Sequence, residues 1–183
     1  MGTRILLTGG VRSGKSQLAE QLMAHSPQVL YIATARCLDK EMERRIELHR
    51  QRRPDTWTTA EASSRLDQVL ERYPQGDVLL DCVTNMVTNL MLDMEPDYDE
   101  LSMARIEEIE QAIRHEFVLF MDKLREQDRR AVLVTNEVGL SLVSPYRMGR
   151  VFSDIVGRLN QMLAAKCDEV QFLISGIPLR VKG

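Results

Sequence analysis

The stretch GGVRSGKS at residues 9–16 constrains the fold more than any other part of the sequence. It fits the pattern G-x-x-x-x-G-K-[ST] through four fixed positions: Gly9, Gly14, Lys15 and Ser16. Glycines let the backbone curl until several N–H groups face one centre, and a following helix adds the positive end of its dipole. The run RILLT at 4–8 predicts a buried strand before the loop, and residues 15–25 predict a helix after it. The segment therefore predicts a phosphate-binding loop; the alternative is a glycine turn that binds no ligand.

Three side chains near this loop have chemistry that suits a nucleotide. Lys15 would reach the β- and γ-phosphates, and the Ser16 hydroxyl would ligate Mg²⁺. The predicted strand at 77–82 carries Asp81 near its carboxyl end, which is the edge where open α/β sheets bind ligands. An acidic residue there commonly supports Mg²⁺ in nucleoside triphosphate enzymes, and a polar strand cap is the alternative. We therefore predict Lys15 as a catalytic group and Ser16 and Asp81 as metal ligands.

Apolar runs alternate with helix-like stretches along the rest of the chain. Further strands are predicted at 28–35, 77–82, 131–137 and 169–175, with an edge piece at 178–182. Further helices are predicted at 39–52 with Asp39 as its cap, 63–73, 83–92, 101–127 and 145–165. Continuous apolar strands separated by helices predict an α/β fold with a mostly parallel sheet covered on both faces. A length of 183 residues suits one such domain, residues 1–183.

Composition excludes several classes of protein. The net charge of −3 gives no global attraction to nucleic acid, so any anion site must be local. The three cysteines, Cys37, Cys82 and Cys167, are widely spaced and odd in number, which argues against a disulfide framework and a zinc site. No apolar run approaches the ~20 residues that a membrane helix needs, and the amino terminus does not read as a signal peptide. We therefore expect a cytoplasmic protein with no membrane span and no nucleic-acid partner.

The segment RIELHRQRRP at 45–54 places His49 among several arginines. On a helix, His49 would share a face with Met42 and Ile46, at the edge of a buried stripe. Arginines near an imidazole lower its pKa and bind phosphate bidentately, and a neutral imidazole nitrogen can attack phosphorus. The residues alone favour the other interpretation, a histidine on the solvated face of a surface helix. His25 and His115 carry no motif, and Tyr31 and Trp57 are expected to be packing residues, although Trp57 follows the arginine run and would be placed to line a pocket.

Six segments, in order, resemble one known enzyme family: LLTGGVRSGKSQLAE, VLYIATA, EMERRIELHRQRRPDTWTTAEA, LLDCVTNMVTNL, VLVTNEVGLSLV and FSDIVGRLNQMLAAKCDEVQFLISGIPLRVK. The family is the bifunctional adenosylcobinamide kinase / adenosylcobinamide-phosphate guanylyltransferase of cobalamin biosynthesis. A phosphate loop alone would be generic, whereas the histidine-arginine segment together with VTNEVG and GRLNQ makes the resemblance specific. It runs along nearly the whole chain.

The resemblance implies two transferase reactions on a corrinoid substrate. ATP or GTP would phosphorylate the hydroxyl of adenosylcobinamide, and GMP would then pass from GTP to that phosphate through a GMP-histidine intermediate. The histidine would be His49, since some relatives have two adjacent histidines where this chain has Leu48 and His49. The resemblance also implies a RecA-like P-loop NTPase fold and a homotrimer.

Position by position, the resemblance also implies a set of nucleotide contacts. These are Gly9, Gly10, Val11, Arg12, Ser13, Gly14, Lys15, Ser16, Thr34, Ala35, Arg36, Arg50, Gln51, Arg52, Arg53, Glu61 and Asp81. Two other functions remain open at this stage. One is a P-loop small-molecule kinase in which His49 is structural, and the other is a RecA-like, nucleotide-dependent interaction module. A guanine-specifying NKxD motif is absent, because TNEV at 135–138 does not match it, and this argues against a switch GTPase.

Overall fold

The computed structural model describes residues 2–36, Arg44 and residues 53–183. The helix predicted at 39–52, its cap Asp39 and Cys37 lie outside these residues. The strands are β1 Arg4–Gly9, β2 Val29–Ala33, β3 Thr58–Glu61, β4 Asp77–Asp81, β5 Ala131–Val134, β6 Glu169–Ile174 and β7 Ile177–Lys182. The helices are α1 Lys15–Met23, α2 Leu66–Arg72, α3 Val83–Met94, α4 Met103–Glu126 and α5 Arg147–Lys166.

The described strands form one seven-stranded sheet in the order β3-β2-β4-β5-β1-β6-β7. Every neighbouring pair is parallel except β6 and β7, which form an antiparallel hairpin at one edge. Parallel strands need crossover connections, and right-handed crossovers place helices against the faces of the sheet. The carboxyl ends of β1, β2, β3 and β4 therefore all lie along one edge, where the connecting loops meet.

Each face of the sheet packs against its own apolar cluster. Helices α2 to α5 cover one face, and α4 contributes an inward stripe with three- and four-residue spacing: Ile106, Ile109, Ile113, Phe117, Phe120 and Leu124. Helix α1 covers the other face through Ala19 and Met23, beside Tyr31 and Trp57. Truncating one of the buried phenylalanines to alanine would cost about 3–5 kcal/mol of unfolding free energy. The two layers hold the sheet rigid, so the positions of its strand ends are fixed.

The predicted α/β class, a mostly parallel sheet with a phosphate-loop segment after its first strand, is confirmed. The strands and helices outside the 39–52 segment occur where the sequence predicts them, with ends that shift by one to three residues, and the edge piece at 178–182 is strand β7. Strand β3 was not predicted, because TTAE has no apolar run and buries only Ala60. Among the described residues, no helix combines the length and the apolar character that a bilayer crossing requires.

Candidate functional site

The glycine-rich loop joins the end of β1 to the start of α1. Gly9 and Gly14 have φ values of 150° and 95°, in the region that L side chains rarely adopt. A Cβ atom at Gly9 would lie 2.5 Å from the Leu173 carbonyl oxygen, and one at Gly14 would lie 3.2 Å from the Gly176 Cα. The loop therefore packs tightly against the β6–β7 hairpin, and both positions require glycine.

The ammonium group of Lys15 is held by the loop itself. Its Nζ donates to the carbonyl oxygens of Gly9 at 3.1 Å and Gly10 at 2.6 Å, and to the Ser13 hydroxyl at 3.4 Å. Burial lowers the pKa of Lys15 below its ordinary value, and the nearby Cys82 and Asp81 oppose this shift. An ammonium has three donors, and all three are engaged here. A phosphate that binds in the loop would therefore have to replace at least one of these acceptors with a charged oxygen, which makes a stronger hydrogen bond.

Two acidic residues lie in one row at the carboxyl edge of the sheet. Ala33, the last residue of β2, pairs in register with Glu61 of β3 and with Asp81 of β4. Residues paired in this way point to the same face, and two strand spacings place the two acidic residues about 10 Å apart. That face is the one covered by α1, because Ala33 packs against the same cluster as Ala19 and Met23. The predicted site residues Lys15, Glu61 and Asp81 thus share one face and one edge.

Tyr31 lies beneath this row, and the sequence interpretation as a simple packing residue underestimated it. Its hydroxyl donates to Asp81 Oδ2 at 3.0 Å, and its ring stacks with Trp57 at a centroid distance of 6.5 Å. The Arg53 guanidinium lies 3.4 Å from the centre of the same ring. Burial is the main cause that raises the pKa of Tyr31 above its ordinary value, and Asp81 adds to it, so the hydroxyl stays a donor.

Thr34 and Arg36, both predicted nucleotide contacts, make other bonds in this structure. The Thr34 hydroxyl donates to the Cys82 carbonyl and accepts from the Cys82 N–H, and its side chain is buried. The Arg36 guanidinium donates to Asp93 at 2.7 and 2.5 Å and to the Ser63 hydroxyl at 2.8 Å. Thr34 therefore fixes the ends of two strands, and its contact with a nucleotide remains a prediction. Contacts by Ala35 and Arg36 remain predictions.

A second group of polar residues was missed by the sequence reasoning. Asn136 donates to the Thr84 hydroxyl at 2.8 Å, and Asn160 donates to the Asn136 carbonyl at 3.0 Å. The Glu137 N–H, one residue further on, donates to the Gly9 carbonyl at 3.0 Å. These bonds hold the segment after β5 against α3, α5 and the glycine-rich loop. The available signal was the polar pair at 135–136 directly after an apolar strand.

The other predicted site residues divide into two groups. His49, Arg50, Gln51 and Arg52 lie outside the described residues, so their roles stay predictions. His25 and His115 are exposed, His25 after the end of α1 and His115 on α4. Arg53, the first described residue of the arginine segment's carboxyl end, lies on the same face as Tyr31 and Asp81.

The oxygen donors at this edge fit Mg²⁺ delivered together with a nucleotide. Within the described ranges, no group of three or more His, Cys, Asp and Glu side chains is placed to hold a metal ion. Mg²⁺ is commonly held by one or two protein oxygens and completes its shell with phosphate oxygens and water. The Ser16 hydroxyl and the Asp81 carboxylate have that chemistry. We therefore keep them as the candidate metal ligands.

Residues 5–181 match the family described as cobinamide kinase / cobinamide phosphate guanyltransferase. The chain belongs to this family. The bifunctional adenosylcobalamin biosynthesis protein CobU of Escherichia coli (strain K12) is 47% identical over 182 residues, which covers 97% of this chain and 99% of the relative. CobU of Salmonella typhimurium (strain LT2) is 44% identical over 182 residues, with the same shares covered. The match is therefore to whole relatives and not to a shared module.

Among solved structures, a KaiC-like protein, PH0186, from Pyrococcus horikoshii OT3 aligns with a TM-score of 0.48 and 15% identity. The alignment covers 93% of this chain and 70% of that chain.

Proposed function

We propose that the chain is a transferase that phosphorylates adenosylcobinamide with ATP or GTP and then transfers GMP from GTP to the resulting phosphate. The proposal rests on one observation above all. In a member of this family, the Lys15 loop and the acidic residues Glu61 and Asp81 meet on one face, beside Arg53 at the end of the arginine segment. Such an edge can take a nucleoside triphosphate with its phosphates in the loop.

In the first reaction, the acceptor hydroxyl oxygen forms a bond to the γ-phosphorus of the nucleotide. The bond between that phosphorus and the bridging oxygen breaks, and the nucleoside diphosphate leaves. Charge that develops on the transferred group and on the leaving oxygen is stabilised by the loop N–H groups and by Lys15. The hydroxyl proton leaves to water as the new oxygen–phosphorus bond forms.

In the second reaction, a neutral imidazole nitrogen of His49 attacks the α-phosphorus of GTP. The bond to the pyrophosphate oxygen breaks, pyrophosphate leaves, and GMP stays on the histidine. A phosphate oxygen of the acceptor then attacks the same phosphorus, the phosphorus–nitrogen bond breaks, and His49 is regenerated. Dividing one difficult transfer into two easier steps is the usual gain from covalent catalysis.

When bound, Mg²⁺ supplies positive charge to the phosphate oxygens and lowers the cost of charge build-up on them. Ser16 and Asp81 are the residues that would hold it. Lys15 and the loop amides bind the same phosphates and orient them toward the acceptor. A site of this kind uses few protein ligands because the substrate brings its own oxygens.

Two alternatives compete with this proposal. In the first, the protein is a small-molecule kinase and His49 has only a structural role. In the second, it is a nucleotide-dependent module that switches a partner protein and transfers nothing. The chain has a net charge of −3, with slightly more acidic than basic residues. This balance argues against a nucleic-acid partner for such a module.

One labelling experiment distinguishes these functions. The folded protein is incubated with Mg²⁺ and GTP labelled at the α-phosphorus, then denatured and digested. An acid-labile, alkali-stable label on the peptide that contains His49 is the expected result, and label should leave the protein when adenosylcobinamide phosphate is added. Phosphorylation of cobinamide without a protein label would reduce the function to a kinase. GTP hydrolysis without either reaction would favour the switching module.

We also propose that the enzyme is a cytoplasmic homotrimer, as the family resemblance implies. Light scattering of the purified protein at several concentrations measures the mass of the assembly. A mass equal to one or two chains at all concentrations would contradict the trimer.

A further inference from the structure

Tyr31 connects two parts of the candidate site through opposite ends of its side chain. Its ring is 3% exposed and lies between the Trp57 indole and the Arg53 guanidinium. A guanidinium 3.4 Å from the ring centre is within the distance at which cation–π attraction operates, and burial strengthens that attraction. The ring therefore anchors Arg53 to the face of the sheet.

The hydroxyl of the same residue holds Asp81. It donates to Oδ2 at 3.0 Å, and a hydrogen bond from a buried neutral donor to a carboxylate fixes the direction of the carboxylate plane. Asp81 also lies close enough to Lys15 to act on its pKa. The orientation of this carboxylate thus determines which of its oxygens faces the phosphate loop.

The nitrogens of Arg53 differ in their hydrogen bonding. One of its terminal nitrogens, Nη1, donates to the Thr59 hydroxyl at 3.3 Å, whereas its Nε is buried and has no acceptor among the described residues. A buried donor without an acceptor costs free energy. Arg53 is also four positions after His49 in the sequence.

We propose that Tyr31 is a positioning residue for the nucleotide site, with its hydroxyl orienting Asp81 and its ring anchoring Arg53. The inference rests on the proposed function in that it takes GTP with Mg²⁺ as the ligand. The two roles are separable, because phenylalanine keeps the ring and removes only the hydroxyl. Leucine removes both.

A comparable pair elsewhere in the chain provides the control. The Arg72 guanidinium lies 5.6 Å from the centre of the Tyr73 ring, at the end of α2 and at the opposite edge of the sheet. Tyr73→Phe therefore makes the same chemical change beside another arginine, away from the site. If Tyr31 were only a core residue, Tyr31→Phe and Tyr73→Phe would both change stability, and neither would change nucleotide binding.

The experiment measures GTP binding at a series of Mg²⁺ concentrations, by equilibrium dialysis and by the fluorescence of Trp57. Trp57 is the only tryptophan in the chain, and it stacks directly on Tyr31. Its emission therefore reports the state of this cluster without any catalytic turnover. Thermal unfolding of each variant checks that the fold is retained.

We expect Tyr31→Phe to raise the Mg²⁺ concentration for half-maximal GTP binding about tenfold, since a hydrogen bond to a charged group is lost. Binding of GTP without Mg²⁺ should change little in this variant. In an Asp81→Asn background, Tyr31→Phe should add nothing, because a residue that acts through another is not additive with it. Tyr31→Leu, if it folds, should weaken GTP binding with and without Mg²⁺ and abolish the change in Trp57 emission.

An unchanged Mg²⁺ requirement in Tyr31→Phe, or full additivity with Asp81→Asn, would overturn the positioning role. The same would follow if Tyr73→Phe gave an equal shift. These outcomes are distinct from failure of the proposed function, which is judged by the label on His49 in the unmodified protein. A protein that binds Mg²⁺ and GTP without becoming labelled still tests Tyr31 fully.

Discussion

The hydroxyl of Thr34 makes two hydrogen bonds to the backbone of Cys82, one donated to its carbonyl at 2.7 Å and one accepted from its N–H at 2.8 Å. The Thr34 carbonyl in turn accepts from the Asn89 side chain at 2.7 Å. All these groups are buried. One side chain thus ties the end of β2 to the junction of β4 and α3, at the residue that follows Asp81.

Thr34→Val should therefore destabilise the protein although the two side chains have nearly the same shape. It leaves the buried N–H of Cys82 without an acceptor, while the Cys82 carbonyl keeps the hydrogen bond from the Met86 N–H, and we expect a loss of about 2 kcal/mol in the free energy of unfolding. Urea denaturation followed by circular dichroism measures this. Thr88→Val is the matched control, since its hydroxyl only bonds to the Thr84 carbonyl one turn back in α3, and its effect should stay within about 0.5 kcal/mol.

Lys15→Ala should reduce both reactions if, as we propose, both place the triphosphate in the same loop. Removing one charged donor from a phosphate site typically costs about 10²–10³ in rate, and we expect losses of that order in the kinase and transfer assays. Lys166→Ala, which removes an exposed ion pair with Asp122, should leave both rates unchanged. Loss of one reaction with full retention of the other would indicate two separate nucleotide sites.

His49→Ala should abolish GMP transfer and the protein-bound label while the kinase reaction continues. The reason is that the imidazole forms a bond to phosphorus in the transfer reaction only. His25→Ala and His115→Ala replace the other two histidines of the chain and should retain the label. Equal loss of both activities in a folded His49→Ala protein would show that this residue is not a dedicated nucleophile.

Asp168→Asn should destabilise the protein at neutral pH and have no effect in strong acid. Asp168 accepts from the backbone N–H and the guanidinium of Arg4, and the hydrogen bond from the Arg4 side chain is the main cause that lowers the pKa of this carboxyl. Its contribution is fully present above the ordinary aspartate pKa of about 3.9 and disappears as the pH falls through the lowered value.

Because the Asp168 side chain is 46% exposed, we expect a loss of only about 1 kcal/mol in unfolding free energy at pH 7. Urea denaturation at several pH values between neutral and strongly acidic measures the difference from the unmodified protein. Asp122→Asn, at an exposed pair with Lys166, should show almost no difference at any pH. A loss for Asp168→Asn that persists in strong acid would mean that the effect comes from packing and not from the ionised pair.

Cys82 and Cys167 should resist alkylation in the native protein. Burial raises the pKa of Cys82 to about 11 and that of Cys167 to about 12, so at pH 8 roughly one in a thousand molecules or fewer carries either thiolate. Peptide mass spectrometry after a short treatment with iodoacetamide measures the modification at each residue. The same reaction in denaturant should modify both completely, and equal rates in the native and denatured protein would contradict their burial.

The elements that the sequence predicts well are those whose local pattern agrees with their surroundings. RILLT and DVLLD contain continuous apolar runs and lie inside a sheet that is covered on both faces. Their burial can therefore be predicted from the run of apolar residues alone. Strand β3 is not predictable from the sequence because its four residues have no apolar pattern. They form a strand by pairing with β2 at the edge of the sheet. Its presence explains how Glu61 comes to lie level with Asp81.

The site was predictable where a motif specifies backbone geometry and less so where long-range contacts decide the role of a side chain. The glycine-rich loop can be recognised in the sequence from the glycines that its φ angles require. The roles of Tyr31 and Thr34 cannot be recognised in this way. Their partners Asp81 and Cys82 are about 50 positions away in sequence and contact them only because β2 pairs with β4. No local pattern encodes such a contact.

The interior place of β1 in the sheet, between β5 and β6, has a consequence for how the protein is made. Its two neighbours, β5 and β6, come late in the chain, and Ile5 pairs with both Val132 and Glu169. At translation rates of roughly 5–20 residues per second, the ribosome needs on the order of ten seconds to synthesise the chain between these partners. During that time the apolar first strand and its glycine-rich loop are outside the ribosome without the strands that will flank them. The glycine-rich loop is therefore among the first segments to be translated and among the last to be folded, and this delay exposes it to chaperones and to aggregation.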